Sequence, residues 1–156
     1  MTERREPGRG VGNEREVLEE WLEYYRATLP HKCTGLSDEQ LVSRSCPPSP
    51  MSLIGLVRHL TEMERMYVHR LADPDTPLLY CTDDSPDGDF DDIDATDVQA
   101  DLLTFAEHCD RSREIVVAQP LDATLRWHYL YLIKEYARHL GHADLLRERI
   151  DGVTGE

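Results

Sequence analysis

Lysine is nearly missing from this chain: Lys32 and Lys134 stand against fifteen arginines. Basic residues as a whole are scarce, 17 against 31 acidic ones, for a net charge of −14. A surface of that sign repels phosphate backbones, which excludes general nucleic-acid binding. Long apolar runs are missing too. The longest uncharged stretch, Cys46 to Val57, holds three prolines and cannot cross a bilayer as a helix, so no membrane association is expected. The opening MTERREPGRGVGNERE lacks the apolar segment of a secretory signal, so a cytoplasmic protein is expected. No C-x-x-C pair occurs among Cys33, Cys46, Cys81 and Cys109, which argues against a thiolate zinc knuckle. With nothing to indicate export, free thiols in buried or half-buried places are expected.

What is present is helical periodicity. The length, 156 residues, fits one domain, and residues 1 to 13 carry no hydrophobic pattern and read as a flexible tail. From Glu14, the apolar positions Leu18, Trp21, Leu22, Tyr25 and Leu29 recur every three or four residues. This spacing predicts an amphipathic helix that stops before Pro30. Ser37 and Gln40 are spaced as a capping box for one short turn, and Cys46-Pro47-Pro48-Ser49-Pro50 forms a non-helical connector. A second long helix is expected from Ser52 to Leu71. A third is expected with Thr96 as its cap and an end before Pro120, and a fourth from Leu125 to Ile150 with Gly152 just beyond. Between Asp83 and Asp101 lie nine aspartates and no basic residue. They lack the ligand spacing of a calcium loop and read as a solvated loop. Four long helices without a convincing strand predict an all-α four-helix bundle with long connecting loops, filling residues 14–152.

The fourth helix carries the chemical signal. Tyr129, Ile133, Tyr136, Leu140 and Ala143 fall on one face, and Glu135, His139 and His142 line the edge of that stripe. On the second helix His59 falls beside the apolar arc in the same way. Ionisable groups turned towards a bundle interior need pairing, hydrogen bonds or a metal. Glu135 and His139 are four apart, so their heads can converge. His59 is the best third ligand for a two-histidine, one-carboxylate set that keeps coordination positions open. His142 is an alternative member, and a hydrogen-bonded network without metal is the other reading of the same residues. Trp127-His128-Tyr129-Leu130-Tyr131 is unusually aromatic and reads as core packing or as a pocket wall.

Three blocks have a familiar form. Ser52 to Arg65, SLIGLVRHLTEMER, resembles the second-helix signature of the DinB-like superfamily, and more closely its actinobacterial mini-circle branch, which is mycothiol transferase-like. Gly35 to Leu41, GLSDEQL, is similar to the lead-in of that branch. Glu135 to Gly152, EYARHLGHADLLRERIDG, is the most specific match. The blocks follow in order between Gly35 and Gly152 and together make up 39 residues. The resemblance implies an up-down-down-up four-helix bundle, often a homodimer, with a metal triad falling on His59, Glu135 and His139. The chain departs from the pattern at Tyr131, where many relatives have histidine, and at Lys134, where they have an acid. At His142 many relatives have glutamine.

The resemblance further implies a metal-dependent transferase. It would use a low-molecular-weight thiol, most plausibly mycothiol, on a small electrophilic substrate. A zinc or nickel ion held by two imidazoles and one carboxylate keeps net positive charge and can lower the pKa of a thiol. No cysteine of the chain is needed, and Arg58, Arg65 and Arg138 are candidates for holding the cosubstrate. The alternatives are a non-catalytic small-molecule-binding or self-protection protein, or a metal-dependent hydrolase or isomerase of secondary metabolism.

Overall fold

The computed structural model describes residues 7–8 and 12–154, and among these every regular element is a helix. Most of the expected N-terminal tail lies outside the described residues. Helix α1 spans Glu14–Cys33, opened by a reciprocal capping box between Asn13 and Glu16. Here the sequence expectation needs correction, because α1 passes through Pro30. A proline inside a helix removes one backbone hydrogen bond and typically costs about 3 kcal/mol. The last turn is held from outside instead. Leu29 and Cys33 are buried in the core, and Arg147 donates to the carbonyls of Lys32 and Thr34, both at 2.8 Å.

Helix α2, Asp38–Val42, carries the Ser37–Gln40 capping box expected from the sequence. Helix α3, Leu53–Glu64, begins at the Ser52 cap and is buried on almost every side. It continues through a wide π-helical turn, Arg65–His69, into the short α4, Arg70–Ala72. That turn is fastened from outside, since Arg65 donates to the Pro77 carbonyl and His69 Nε2 lies 3.0 Å from the His108 carbonyl.

After the one-turn α5, Gly88–Asp91, comes α6, Val98–Val117. The cap of α6 is Asp97, not Thr96. Thr96 turns inward because a stronger partner is available: its hydroxyl donates to Asp101 Oδ2 at 2.6 Å and accepts from Arg58. Helix α7, Ala123–Asp151, starts at the Asp122 cap and ends on Gly152 with φ 79°, a left-handed conformation that glycine adopts without a Cβ penalty.

Contacts at the two ends of α1 fix its partner. Arg126, near the start of α7, grips Glu14, while Arg147, near the end of α7, grips the end of α1. Helix α3 packs against α6 and α7. Their shared core includes Leu53, Leu56, Leu60, Phe105, Tyr129, Leu132 and Tyr136, all nearly solvent-free. At its centre Arg26 forks onto both oxygens of Glu64 at 2.8 and 2.7 Å, and Tyr136 donates to the same carboxylate at 2.7 Å.

The acidic stretch is not simply a solvated loop. Asp89 and Asp101 are buried, and Ile93 is completely so. Glu62 Oε1 accepts the backbone N–H groups of Leu79, Tyr80 and Cys81 at 2.7, 2.6 and 3.3 Å, clamping the loop to α3. A Cβ on Gly55 would stand 2.9 Å from the Phe90 ring, so a glycine there lets the loop lie close on the helix. Buried positive charge draws in the aspartates: Arg58 binds Asp101 at 2.7 Å and the Asp92 carbonyl at 2.7 Å.

Candidate metal centre

The four-residue spacing of Glu135 and His139 on α7 sets both heads on one side of that helix, and α3 presents His59 to the same point. One ligand atom from each residue lies within 4.8 Å of the others. Glu135 Oε2 sits 3.3 Å from His139 Nε2 and 4.0 Å from His59 Nε2. Among the described residues it is hydrogen-bonded to neither. The imidazoles approach edge to face with ring centroids 4.5 Å apart. Three candidate ligand atoms thus face one another within 4.8 Å, an arrangement that could hold a cation. The two-histidine, one-carboxylate set fits a divalent ion with open coordination positions.

The remaining ring nitrogens are occupied, which fixes the orientation of both rings. His59 Nδ1 is 2.8 Å from Asp89 Oδ2, and His139 Nδ1 is 3.3 Å from His142 Nδ1. A carboxylate behind a ligating histidine holds its tautomer and raises its basicity. Burial, reinforced by the neighbouring His59, pushes His139 down to about 4, so its ring is neutral near pH 7 with a lone pair to offer. Burial opposes ionisation of Glu135, but the Lys134 ammonium 2.6 Å from Oε1 outweighs it and keeps the carboxylate ionised.

Asp89 is the member that sequence reasoning missed. It sits in an aspartate run without periodicity, and nothing local separates it from its neighbours. His142 stands beside the triad as a partner of His139. Tyr131 lies one turn before Glu135, under the Lys134 ammonium, which is 3.6 Å from its ring centre. Arg58 and Arg65 are buried and held by the protein itself: Arg58 by Asp101, Arg65 by the Pro77 carbonyl. Arg138 is exposed on α7. A hollow of about 370 Å³ lies among Arg58, Asp91, Asp92, Asp94, Ala95 and Thr96, away from the triad residues. All four cysteines are free, Cys33 and Cys109 buried, Cys46 and Cys81 partly so.

A family model described as mycothiol-S-transferase matches residues 17–152. The chain belongs to the mycothiol S-transferase family. Membership in this DinB-like family agrees with the resemblance carried by the helix signatures, and it implies a thiol cosubstrate and a small-molecule substrate. The matched span contains all three donors together with Asp89 and His142. No curated protein and no solved structure matches the chain. No helix among the described residues is long and apolar enough to cross a membrane.

Proposed function

We propose that the protein is a metal-dependent transferase that joins a low-molecular-weight thiol, mycothiol, to a small electrophile. The observation that carries this reading is the convergence of one ligand atom each from His59, Glu135 and His139 within 4.8 Å. These three residues would hold the ion, zinc or nickel, with Asp89 and His142 keeping the two rings aimed. Bound there, a divalent ion supplies Lewis acidity that lowers the pKa of a thiol and makes thiolate available at neutral pH.

The protein contributes placement and charge. Lys134 takes one oxygen of Glu135 and leaves the other facing the histidines. Three of the four cysteines are poor competing nucleophiles, since burial pushes Cys33 and Cys109 up to about 12 and Cys81 to about 11. In the transfer, a sulfur–carbon bond forms and the bond from that carbon to its leaving group breaks. The leaving group departs with the electron pair, and the thiol proton goes to solvent. The end contacts that set α1 beside α7, and His59 opposite His139 with Tyr67 opposite Trp127, support an up-down-down-up bundle over residues 14–152. The same reading takes the protein as cytoplasmic and homodimeric, with exposed Leu103, Val117 and Leu145 as apolar surface for a second copy.

The test incubates the protein with mycothiol and monochlorobimane, with and without chelator. Activity should require both metal and thiol, survive replacement of all four cysteines, and fall strongly in Glu135→Gln, which keeps the shape but loses the charge that binds metal. Activity unaffected by chelator overturns the metal dependence, and activity absent with every thiol overturns the transferase reading in favour of a binding protein.

A further inference from the structure

A second cluster abuts the metal centre. Tyr67, from the wide turn after α3, lies 4.1 Å from the Tyr131 ring on α7, and Trp127 stacks on Tyr131 at 5.0 Å and 25°. Trp127 also meets Tyr67 at 6.0 Å. These rings are not core packing of the usual kind, because Trp127 is 52% exposed. Leaving so large an apolar surface in water forgoes burial that an aromatic side chain ordinarily gains. Behind it, the Nδ1 of His128 is buried with no hydrogen-bond partner among the described residues, and its ring lies 5.1 Å from Trp127 and 6.2 Å from Tyr67. A buried polar atom without a partner is uncommon and points to one supplied from elsewhere.

Lys134 joins this cluster to the triad. Its ammonium lies 3.6 Å from the Tyr131 ring centre and 2.6 Å from Glu135 Oε1. The stack therefore ends one side chain from Glu135, next to the candidate centre. We propose that Tyr67, Tyr131 and Trp127 form the acceptor subsite, and that the electrophile it takes is a planar, conjugated molecule. Flat conjugated rings gain from offset stacking on tyrosine and tryptophan, which an aliphatic electrophile of equal size does not. The identity of the reaction rests on the thiol-transfer reading, whereas the binding platform does not.

The two are separated by measuring binding without chemistry. The full-length protein, metal-free and without thiol, is titrated with the unreactive planar probe 1,3-dinitrobenzene in a Trp21→Phe background, where Trp127 is the sole tryptophan. Saturable quenching of its fluorescence is expected, with cyclohexanone giving none. Equilibrium dialysis of the same probe should show ~3–10-fold weaker binding in Trp127→Ala and in Tyr131→Ala. The exposed position of Trp127 makes its variant safe for folding, and His139→Ala should bind the probe as the unaltered protein does. With thiol and metal restored, the ratio of kcat/KM for 1-chloro-2,4-dinitrobenzene to that for iodoacetamide should fall in Trp127→Ala. Non-saturable quenching, or equal affinity in all variants, overturns the platform. Saturable, Trp127-dependent binding without any thiol transfer upholds the platform and removes the transferase reading instead.

Discussion

Two carboxylates lie at the heart of this bundle, and their surroundings are opposite. Glu64 is completely buried, with both oxygens occupied by the Arg26 fork and a further bond from Tyr136. Glu135 sits at the core margin, with one oxygen on Lys134 and the other 3.3 Å from His139 Nε2 and 4.0 Å from His59 Nε2. The first cluster is closed: each charge has its partner within the chain, and nothing remains to bind a ligand. The second is looser: its three candidate ligand atoms lie within 4.8 Å of one another and could hold a cation. Burial alone therefore does not mark a functional carboxylate; an unfilled set of converging donors does.

The contrast breaks most visibly at Arg26. Arg26→Met leaves Glu64 charged and unpaired in the core and should cost about 3–5 kcal/mol in urea unfolding. The metal-free His139→Ala protein, measured the same way, should lose about 1 kcal/mol. Similar losses in both would mean that the two clusters serve the same structural end. Next in size is Asp89→Asn, which leaves the shape intact but weakens the hold on His59. Metal affinity by chelator competition should drop ~10–100-fold with the helical circular dichroism unchanged. An affinity equal to that of the unaltered protein would detach Asp89 from the centre.

The smallest effect concerns acid, at a histidine belonging to neither carboxylate. Burial, then Arg65 and His69, pushes His108 from 6.5 down to about 4, with Glu64 opposing. The unfolded chain therefore binds this proton before the folded one does. Its contribution to stability is complete above about pH 6.5, diminishes as pH falls, and is gone below about pH 4. In metal-free protein, His108→Gln should lessen the stability difference between pH 7 and pH 4.5. An unchanged difference would assign the acid sensitivity to other groups.

Much of this organisation is legible in the residue order. The apolar spacing of α1, α3, α6 and α7, the Ser37–Gln40 box and the Gly152 terminator are local features, and local sterics and capping act within a few residues. Glu135 and His139 share a face because a helix turn is about 3.6 residues, and His59 was recognisable as a core-margin histidine on another helix. Three things were not legible. The last turn of α1, past Pro30, is held at the Lys32 and Thr34 carbonyls by Arg147, more than a hundred residues away. Thr96 gives up the capping position because Arg58 and Asp101 compete for its hydroxyl. Asp89 is one of nine similar aspartates until the Glu62 clamp and the close approach at Gly55 bring its turn against α3.

The sequence by itself thus determined the helices, the face of each, and two donors on a common turn. All of these follow from the periodicity of a single backbone. The tertiary structure decided which aspartate stands behind His59, which arginines are consumed by the fold, and that Lys134 links an aromatic stack to Glu135. Those outcomes depend on distances between residues far apart in the chain, fixed only when burial and charge pairing across helices select one packing.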